Sequence, residues 1–294
     1  MEAYVCMVCI LASWAGADPE GLDEERIREF FLYLIRDKKY APPSLRQARV
    51  ALNAFYVEML GRTDWRVFTG IKTRDVKQLP VVLSRSEVRR ILDCVQELRF
   101  STPLRLIYLC GLRLSEALHI EVRDIQRASG RLHVRCGKGG KDRYVPLPKA
   151  VIEDLERWWK FHRHPRLLFP AMGHGWRSTE LRGEAERLRL QRERLRAAPH
   201  PMSASALQRV WGLALASSGV KKPACIHTLR HSYATHLLEE GVNIRYLSQY
   251  LGHASLDQTL VYAHLTEASE ASTQQAVGRL ASALNSSAPE RSGA

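Results

Sequence analysis

The sequence predicts a mainly helical protein of two domains, the second of which also carries a small antiparallel sheet. Apolar residues recur at helical spacing along most of the chain. Residues 76–83 include a proline and show few helical features, which is typical of a linker between domains. Three short strand candidates follow in the second domain, and the glycine-rich turn Gly137–Gly140 separates the last two.

Composition limits the class of protein. The 294 residues are 45% apolar and 26% charged, which excludes a disordered chain, a collagen-like fibre and a disulfide scaffold. The formal charge is +13, and it is uneven: residues 1–80 carry +1 and residues 81–294 carry +12. A basic second domain makes a polyanion such as nucleic acid a plausible partner.

The first domain, predicted at 1–75, is expected to be entirely helical. The apolar run Tyr4–Ala12 has the wrong flanking charge for a signal peptide, so we expect a first core helix. A second helix begins near Leu22, with acidic residues in its first turn and an apolar stripe. That stripe consists of Ile27, Phe30, Phe31, Leu34 and Ile35.

A third helix is expected to begin at Pro42 and to bury one face. The apolar positions are Leu45, Ala48, Leu52, Phe55 and Met59, and the opposite face carries Arg46, Gln47, Arg49 and Asn53. This polar face is either simply solvated or lies along a DNA groove, where Gln and Asn can reach base edges.

The second domain is predicted at 84–284. Ser84 and Glu87 match a capping box, and helices are expected to follow to about Leu118. The strand candidates are Ile120–Ile125, Arg131–Cys136 and Arg143–Leu147. Residues 171–200 are predicted to be a charged insertion. Later helices are expected at Ser203–Gly219, Thr228–Glu239 and Asn243–Tyr250, with a final apolar helix before a disordered tail at 285–294.

Single motifs in this domain are weak. His227 and His231 have the i, i+4 spacing of a zinc pair, but the expected glutamate and a third ligand are missing. The pair Cys6 and Cys9 has no partner pair at zinc-finger distance, so both are expected to be small core residues. Gly137–Lys141 fails the spacing of a phosphate-binding loop. We therefore expect neither a metal nor a cofactor.

The order of the motifs is more specific. Gly111-Leu-Arg113-Leu-Ser-Glu116 is followed by Lys138, then by His227-Thr-Leu-Arg230, Leu251-Gly-His253 and, nine residues later, Tyr262. This ordered set resembles the tyrosine recombinase (phage-type integrase) family over about residues 22–265. The resemblance implies a helical SAM-like core-binding domain followed by a helical catalytic domain with a small antiparallel sheet.

The resemblance also implies the chemistry. Tyr262 attacks a DNA phosphate and forms a 3′-phosphotyrosyl intermediate, which conserves the bond energy without ATP. Arg113 and Arg230 hold the phosphoryl oxygens, because their planar forks donate bidentately and keep their charge. His227 assists removal of the phenol proton, and Lys138 protonates the departing 5′ oxygen.

Further residues receive supporting roles in the same way. His253 is expected to donate to a nonbridging oxygen, and Glu116 is expected to orient its neighbours. Lys141 and Arg143 lie close enough to Lys138 to compete for its role, or to contact DNA. Arg46, Gln47, Arg49 and Asn53 resemble residues of the core-binding domain.

The implied assembly is a homotetramer on two double-stranded DNA sites that passes through a Holliday junction. In it, the C-terminal helix docks on a neighbouring protomer, and no arm-binding domain precedes the chain. The expected location is cytoplasmic and nucleoid-associated, with no membrane segment. The alternatives are a catalytically silent DNA-binding regulator, a metal hydrolase built on His227 and His231, a type IB topoisomerase, and the integron integrase subtype specifically.

Overall fold

The computed structural model describes residues 2–70, 79–135, 142–173 and 183–263. The chain separates into two compact units, which divide between Gln78 and Leu79. Several predictions lie outside the described residues: the start of the linker, Lys138 and Lys141, the first part of the charged insertion, the C-terminal helix and the tail.

The first unit is helical. Its elements are α1 (Glu2–Ala15), the 3-10 turn Pro19–Gly21, α2 (Glu24–Arg36), α3 (Pro42–Asn53), the π-helical continuation Ala54–Met59, and α4 (Val67–Gly70). Helix α2 begins where the Asp23 carboxylate accepts the Arg26 N–H at 2.8 Å. Helix α3 begins with proline, whose missing N–H is unpaired at a helix start in any case.

The core of the first unit is formed by the predicted stripes of α1 to α3. Its fully buried members include Phe30, Leu34 and Leu52. Four predicted core residues are wrong: Ile35 is 46% exposed, Met59 is 69% exposed, and Cys6 and Cys9 of α1 are both exposed. Ile35 lies at the end of α2, and Met59 lies on the π-helical turn, whose wider winding shifts the buried face away from the 3.6-residue period.

The second unit is a helical domain that encloses a small sheet. Its helices are α5 (Arg85–Asp93), α6 (Leu98–Cys110), α7 (Leu114–Leu118), α8 (Lys149–His162), α9 (Glu184–Arg196), α10 (Ala204–Ser217), α11 (Ile226–Glu239), α12 (Ile244–Leu251) and α13 (Asp257–Ala263). The predicted capping box is present at the start of α5, where the Glu87 N–H donates to the Ser84 hydroxyl and the Ser84 N–H to the Glu87 carboxylate.

The sheet is antiparallel, in the order β1 (Ile125–Gln126), β2 (Arg131–Val134), β3 (Arg143–Pro146). Val134 pairs with Arg143, so both ends of the connection that contains Lys138 leave the sheet side by side. The first predicted strand, Ile120–Ile125, is wrong over most of its length. A 3-10 turn forms at 122–124 because the Asp124 carboxylate accepts the Glu121 N–H at 2.9 Å.

Most of the described part of the charged insertion forms helix α9. Only Leu195 of this helix is buried, and it packs into the core of the second unit. No helix in the described ranges is both long enough and apolar enough to span a bilayer.

Candidate active site

The centre of the site is a buried carboxylate that binds two arginines and lies close to a third. Glu116, on α7, is 6% exposed. Its oxygens accept from Arg113 Nη1 at 2.6 Å and from Arg143 Nη1 and Nη2 at 3.0 and 2.7 Å. Arg230 Nη1 lies 3.8 Å away. Together these three bonds and the Arg230 ion pair hold the arginines in fixed positions, which fits the orienting role expected of Glu116.

The same three arginines bind the end of α12. The carbonyls of its last turn have no partners within the helix, and the negative end of the helix dipole lies there. Arg143 Nε donates to Tyr250 O at 2.7 Å, Arg230 Nη2 to Leu251 O at 2.5 Å, and Arg113 Nη2 to Gly252 O at 3.4 Å. The cluster therefore joins α7, α11 and β3 to one helix end.

Two glycines permit this close packing. Gly111, at the end of α6, has a φ of +61°, and a Cβ there would lie 2.4 Å from the Tyr233 ring. Its carbonyl accepts Arg230 Nη1 at 2.7 Å. Gly252 has a φ of +63°, and a Cβ there would lie 3.0 Å from Arg143. Only glycine combines this left-handed backbone with such close neighbours.

Tyr262 lies on α13 and is 4% exposed. Its hydroxyl is 2.8 Å from Nδ1 of His231. The structure thus corrects the expected partner: His231, and not His227, contacts the phenol oxygen. The His227 ring instead packs against the His231 ring, with centroids 4.6 Å apart and planes at 87°.

His253 follows the end of α12. Its Nδ1 is 2.7 Å from the Thr259 hydroxyl of α13, and its ring is stacked with the Tyr262 ring at a centroid distance of 6.4 Å. His253 therefore contacts the tyrosine helix and directly follows Gly252, whose carbonyl accepts from Arg113.

Burial and the arginines set the protonation states. Burial raises the pKa of Tyr262, and Arg230 and Arg113 oppose this increase. Burial and Arg230 lower the pKa of His227, and they lower that of His253 to about 4. Burial and His227 lower the pKa of His231 to about 4. At neutral pH the site thus holds a protonated phenol and neutral imidazoles.

The net charge of the site suits a phosphate. Three arginines and one glutamate give a formal +2, and burial lowers the pKa of Arg230 only to about 10, so this arginine remains charged at neutral pH. Such a cluster neutralises a phosphodiester and the additional charge that develops as its phosphorus is attacked.

The residues predicted to contact DNA differ in placement. Gln47 is exposed on α3, and Arg46 and Asn53 are half-buried. Arg49 donates through Nη1 to Phe68 O at 3.1 Å, so it binds its own domain. The prediction for Arg143 is corrected: its side chain is 8% exposed, and all three of its nitrogens bind Glu116 or Tyr250.

The alternative of a zinc site at His227 and His231 needs at least one further ligand. Within the described part of the chain, no three His, Cys, Asp or Glu side chains are grouped closely enough to hold a metal ion. Instead, the i, i+4 spacing places the two rings on one face of α11, and that spacing was the one sequence signal that could have directed attention to His231.

Comparison with known proteins agrees with this geometry. The family model of the phage integrase family matches residues 81–269, and that of the phage integrase N-terminal SAM-like domain matches residues 1–65. An integrase/recombinase of Escherichia coli is 33% identical, over 90% of this chain and 83% of that protein. The tyrosine recombinase XerA of Pyrococcus horikoshii is 29% identical, over 84% of this chain and 85% of that protein.

The fold also matches a solved structure. A crystal structure of a lambda integrase dimer bound to a COC′ core site has a TM-score of 0.64 at 19% identity, covering 88% of this chain and 86% of that chain. The predicted mainly helical, two-domain fold with a small antiparallel sheet is confirmed, as is the resemblance drawn from the ordered motifs. The chain belongs to the phage integrase family of tyrosine recombinases.

Proposed function

We propose that this protein is a site-specific recombinase that cleaves and rejoins DNA strands through a 3′-phosphotyrosyl intermediate on Tyr262. The observation that supports this most directly is the setting of the phenol. It is buried, it is hydrogen-bonded to an imidazole, and it lies within the electrostatic influence of Arg113 and Arg230.

The phosphate is bound by the arginine cluster. Glu116 and the carbonyls at the end of α12 already orient Arg113 and Arg230, so these side chains do not have to be reorganised during the reaction. His227 and His253, both neutral, donate to nonbridging oxygens. Because Arg230 is only 1% exposed, we propose that α13, which packs on α11, moves when DNA binds.

Cleavage forms the bond between the Tyr262 oxygen and phosphorus and breaks the bond from phosphorus to the 5′ oxygen. The phosphodiester is exchanged for another phosphodiester, so rejoining needs neither ATP nor a metal. We propose that Lys138 protonates the leaving 5′ oxygen. In support, the described ends of its segment, Val134 and Arg143, are paired, and Arg143 binds Glu116.

The partner is duplex DNA, and we propose a tetramer on two sites that passes through a Holliday junction. Related structures support this: a lambda integrase tetramer is bound to a Holliday junction, and XerH is bound to its difH substrate. The net charge of +13 favours binding through phosphates, which makes affinity fall steeply with salt. Such a protein works at the nucleoid, and its two domains are proposed to be 1–75 and 84–284.

The test is the formation of a covalent adduct. The full chain is mixed, in EDTA, with a pool of nicked duplexes that carry randomised arms, and the products are separated under denaturing conditions. We expect a protein–DNA adduct that disappears in Tyr262→Phe and persists in Tyr246→Phe, which changes an exposed tyrosine on α12.

Other results have distinct meanings. DNA binding without any adduct indicates a catalytically silent regulator, and strand cleavage that requires a divalent cation indicates a hydrolase. Relaxation of supercoiled plasmids that bear no target site indicates a topoisomerase. An adduct that survives in Tyr262→Phe contradicts the assignment of the nucleophile.

A further inference from the structure

The contact between His231 and Tyr262 has no role in the mechanism implied by the motif set. His231 lies on α11, directly after Arg230, and Tyr262 lies 31 residues later on α13. Their polar atoms are 2.8 Å apart, which is the usual length for a hydroxyl bound to an imidazole nitrogen. In this structure the phenol O–H therefore points to His231, and the inference requires that this contact is kept or re-formed when α13 moves on DNA binding.

We propose that His231 is the group that accepts the proton of Tyr262 when this residue attacks DNA. The inference rests on the proposed function, because it requires Tyr262 to be the nucleophile. It assigns a catalytic role to a residue outside the motif set and transfers to it the role first expected of His227.

In the tautomer that carries its proton on Nε2, Nδ1 of His231 accepts the phenol O–H. As the phenol oxygen bonds to phosphorus, the proton moves to Nδ1 and an imidazolium forms. The bond to the 5′ oxygen breaks, and that oxygen takes a proton from the general acid. On rejoining, a 5′ hydroxyl bonds to phosphorus and gives its proton back to the general acid. The bond from phosphorus to the phenol oxygen breaks, and the imidazolium returns its proton to that oxygen.

The surroundings of His231 favour a neutral imidazole, which can accept a proton, before the reaction. Burial lowers its pKa to about 4, with contributions from His227 and Arg230 on the same helix, so the ring is neutral at neutral pH, and in the Nε2–H tautomer Nδ1 can accept a proton. The titratable groups that face the pair from other elements are Tyr262 itself, on α13, His253, stacked on the Tyr262 ring, and Arg113, at the start of α7, which acts on Tyr262. A bound phosphodiester offsets the charge of Arg230 and so makes the imidazolium easier to form.

His227 is less well placed for this step. Its ring stands nearly perpendicular to that of His231 at 4.6 Å, while Arg230 and Arg113 act on it directly. This position suits a donor to the phosphate, and it leaves the phenol to His231.

The test is single-turnover cleavage of nicked duplex DNA by the full chain at pH 7. His231→Asn places an amide oxygen near the position of Nδ1, so it preserves a hydrogen-bond acceptor but cannot take the proton. His231→Ala removes both. We expect each variant to form the adduct about 10²- to 10⁴-fold more slowly than the unchanged protein, with DNA affinity within about two-fold. We also expect added imidazole to accelerate adduct formation by His231→Ala, because free imidazole can occupy the space that the histidine ring leaves.

A matched control lies on the same helix. The Nδ1 atom of His236 is 2.9 Å from the hydroxyl of Tyr108, which forms a second histidine–tyrosine pair away from the arginine cluster. His236→Asn is expected to cleave within about three-fold of the unchanged protein. Circular dichroism spectra and DNA affinities of all variants report whether they are folded.

Two results overturn the proposal and leave the proposed function intact. If His231→Asn cleaves at nearly the normal rate while His231→Ala does not, His231 only positions the phenol. If both variants match or exceed the unchanged protein, the contact holds Tyr262 in a resting position. If the unchanged protein forms no adduct, or Tyr262→Phe still forms one, the proposed function itself fails, and the role of His231 fails with it.

Discussion

The substitution Glu116→Gln removes the single negative charge from the arginine cluster with almost no change in shape. The carboxylate is 6% exposed and lies within hydrogen-bond distance of Arg113 and Arg143. Arg230 is 3.8 Å away. The amide retains one acceptor oxygen, but it leaves three guanidinium groups close together without a counter-charge.

The expected magnitude follows from the pKa of Glu116. Burial alone raises this pKa, but hydrogen bonds from Arg143 and Arg113 outweigh burial and lower it from 4.5 to about 2. That difference corresponds to about 3 kcal/mol of stability at neutral pH. Since the folded-state pKa is lowered, the contribution is complete above about pH 4.5 and is lost as the pH falls towards 2. At pH 3.5 we expect about 2 kcal/mol to remain.

The assay is urea unfolding of the full chain, followed by tryptophan fluorescence at pH 7 and at pH 3.5. Trp158 and Trp211 are buried in the second unit and report on its transition, whereas Trp14 and Trp65 belong to the first unit. Glu116→Gln should lower the unfolding free energy of the second unit only. The control is Glu193→Gln, which affects an ion pair of the exposed helix α9 and should cost less than about 0.5 kcal/mol.

Two results would refute this reasoning. One is that the unfolding free energy of the second unit at pH 7 is the same in Glu116→Gln as in the unchanged protein, which would mean that the arginines need no counter-charge. The other is a loss that stays constant down to pH 3.5, which would show that shape and hydrogen bonding, rather than charge, account for the effect.

Two further predictions concern stability. Gly111→Ala should destabilise the second unit by about 3 kcal/mol or more in urea unfolding, since it adds a clash with the Tyr233 ring to the cost of a left-handed backbone. The control is Gly219, which has a φ of +69° and open space around it, so Gly219→Ala should cost only about 1 kcal/mol. His162 is 1% exposed, and burial lowers its pKa to about 4, so the folded state excludes a proton that the unfolded state takes up below pH 6.5. His162→Asn retains an acceptor for the His164 N–H. Between pH 7 and pH 4.5 this variant should lose about 2 kcal/mol less stability than the unchanged protein, whereas His119→Asn, at an exposed position, should show no such difference. An equal loss of stability in both variants would contradict the assignment.

The order of the site residues and the helices that carry them could be predicted because both depend on short-range patterns. The spacing of apolar residues placed α2 and α3, and the capping box at Ser84 placed the start of α5. Ile35 was predicted wrongly because it lies at a helix end, and Met59 because it lies on a π-helical turn. The predicted strand Ile120–Ile125 is wrong because a side-chain bond to the backbone forms a turn there.

The partners of the site residues could not be predicted in this way. His231 appeared only as half of a rejected zinc pair, and Arg143 only as a basic residue near Lys138. Their contacts join positions 31 and 27 residues apart, across α11 to α13 and α7 to β3. Which histidine reaches the phenol, and which arginine binds the carboxylate, depends on how those elements pack.

The sequence by itself determined the family, the nucleophile and the two phosphate-binding arginines proposed here, because residue type and order along the chain are sufficient to specify them. Only the tertiary structure placed Glu116 between three arginines, assigned each of these arginines a carbonyl at the end of α12, and placed His231 on the Tyr262 hydroxyl. The physical reason is that hydrogen bonds and charge interactions act over a few ångströms in space, and distance along the chain does not determine that separation.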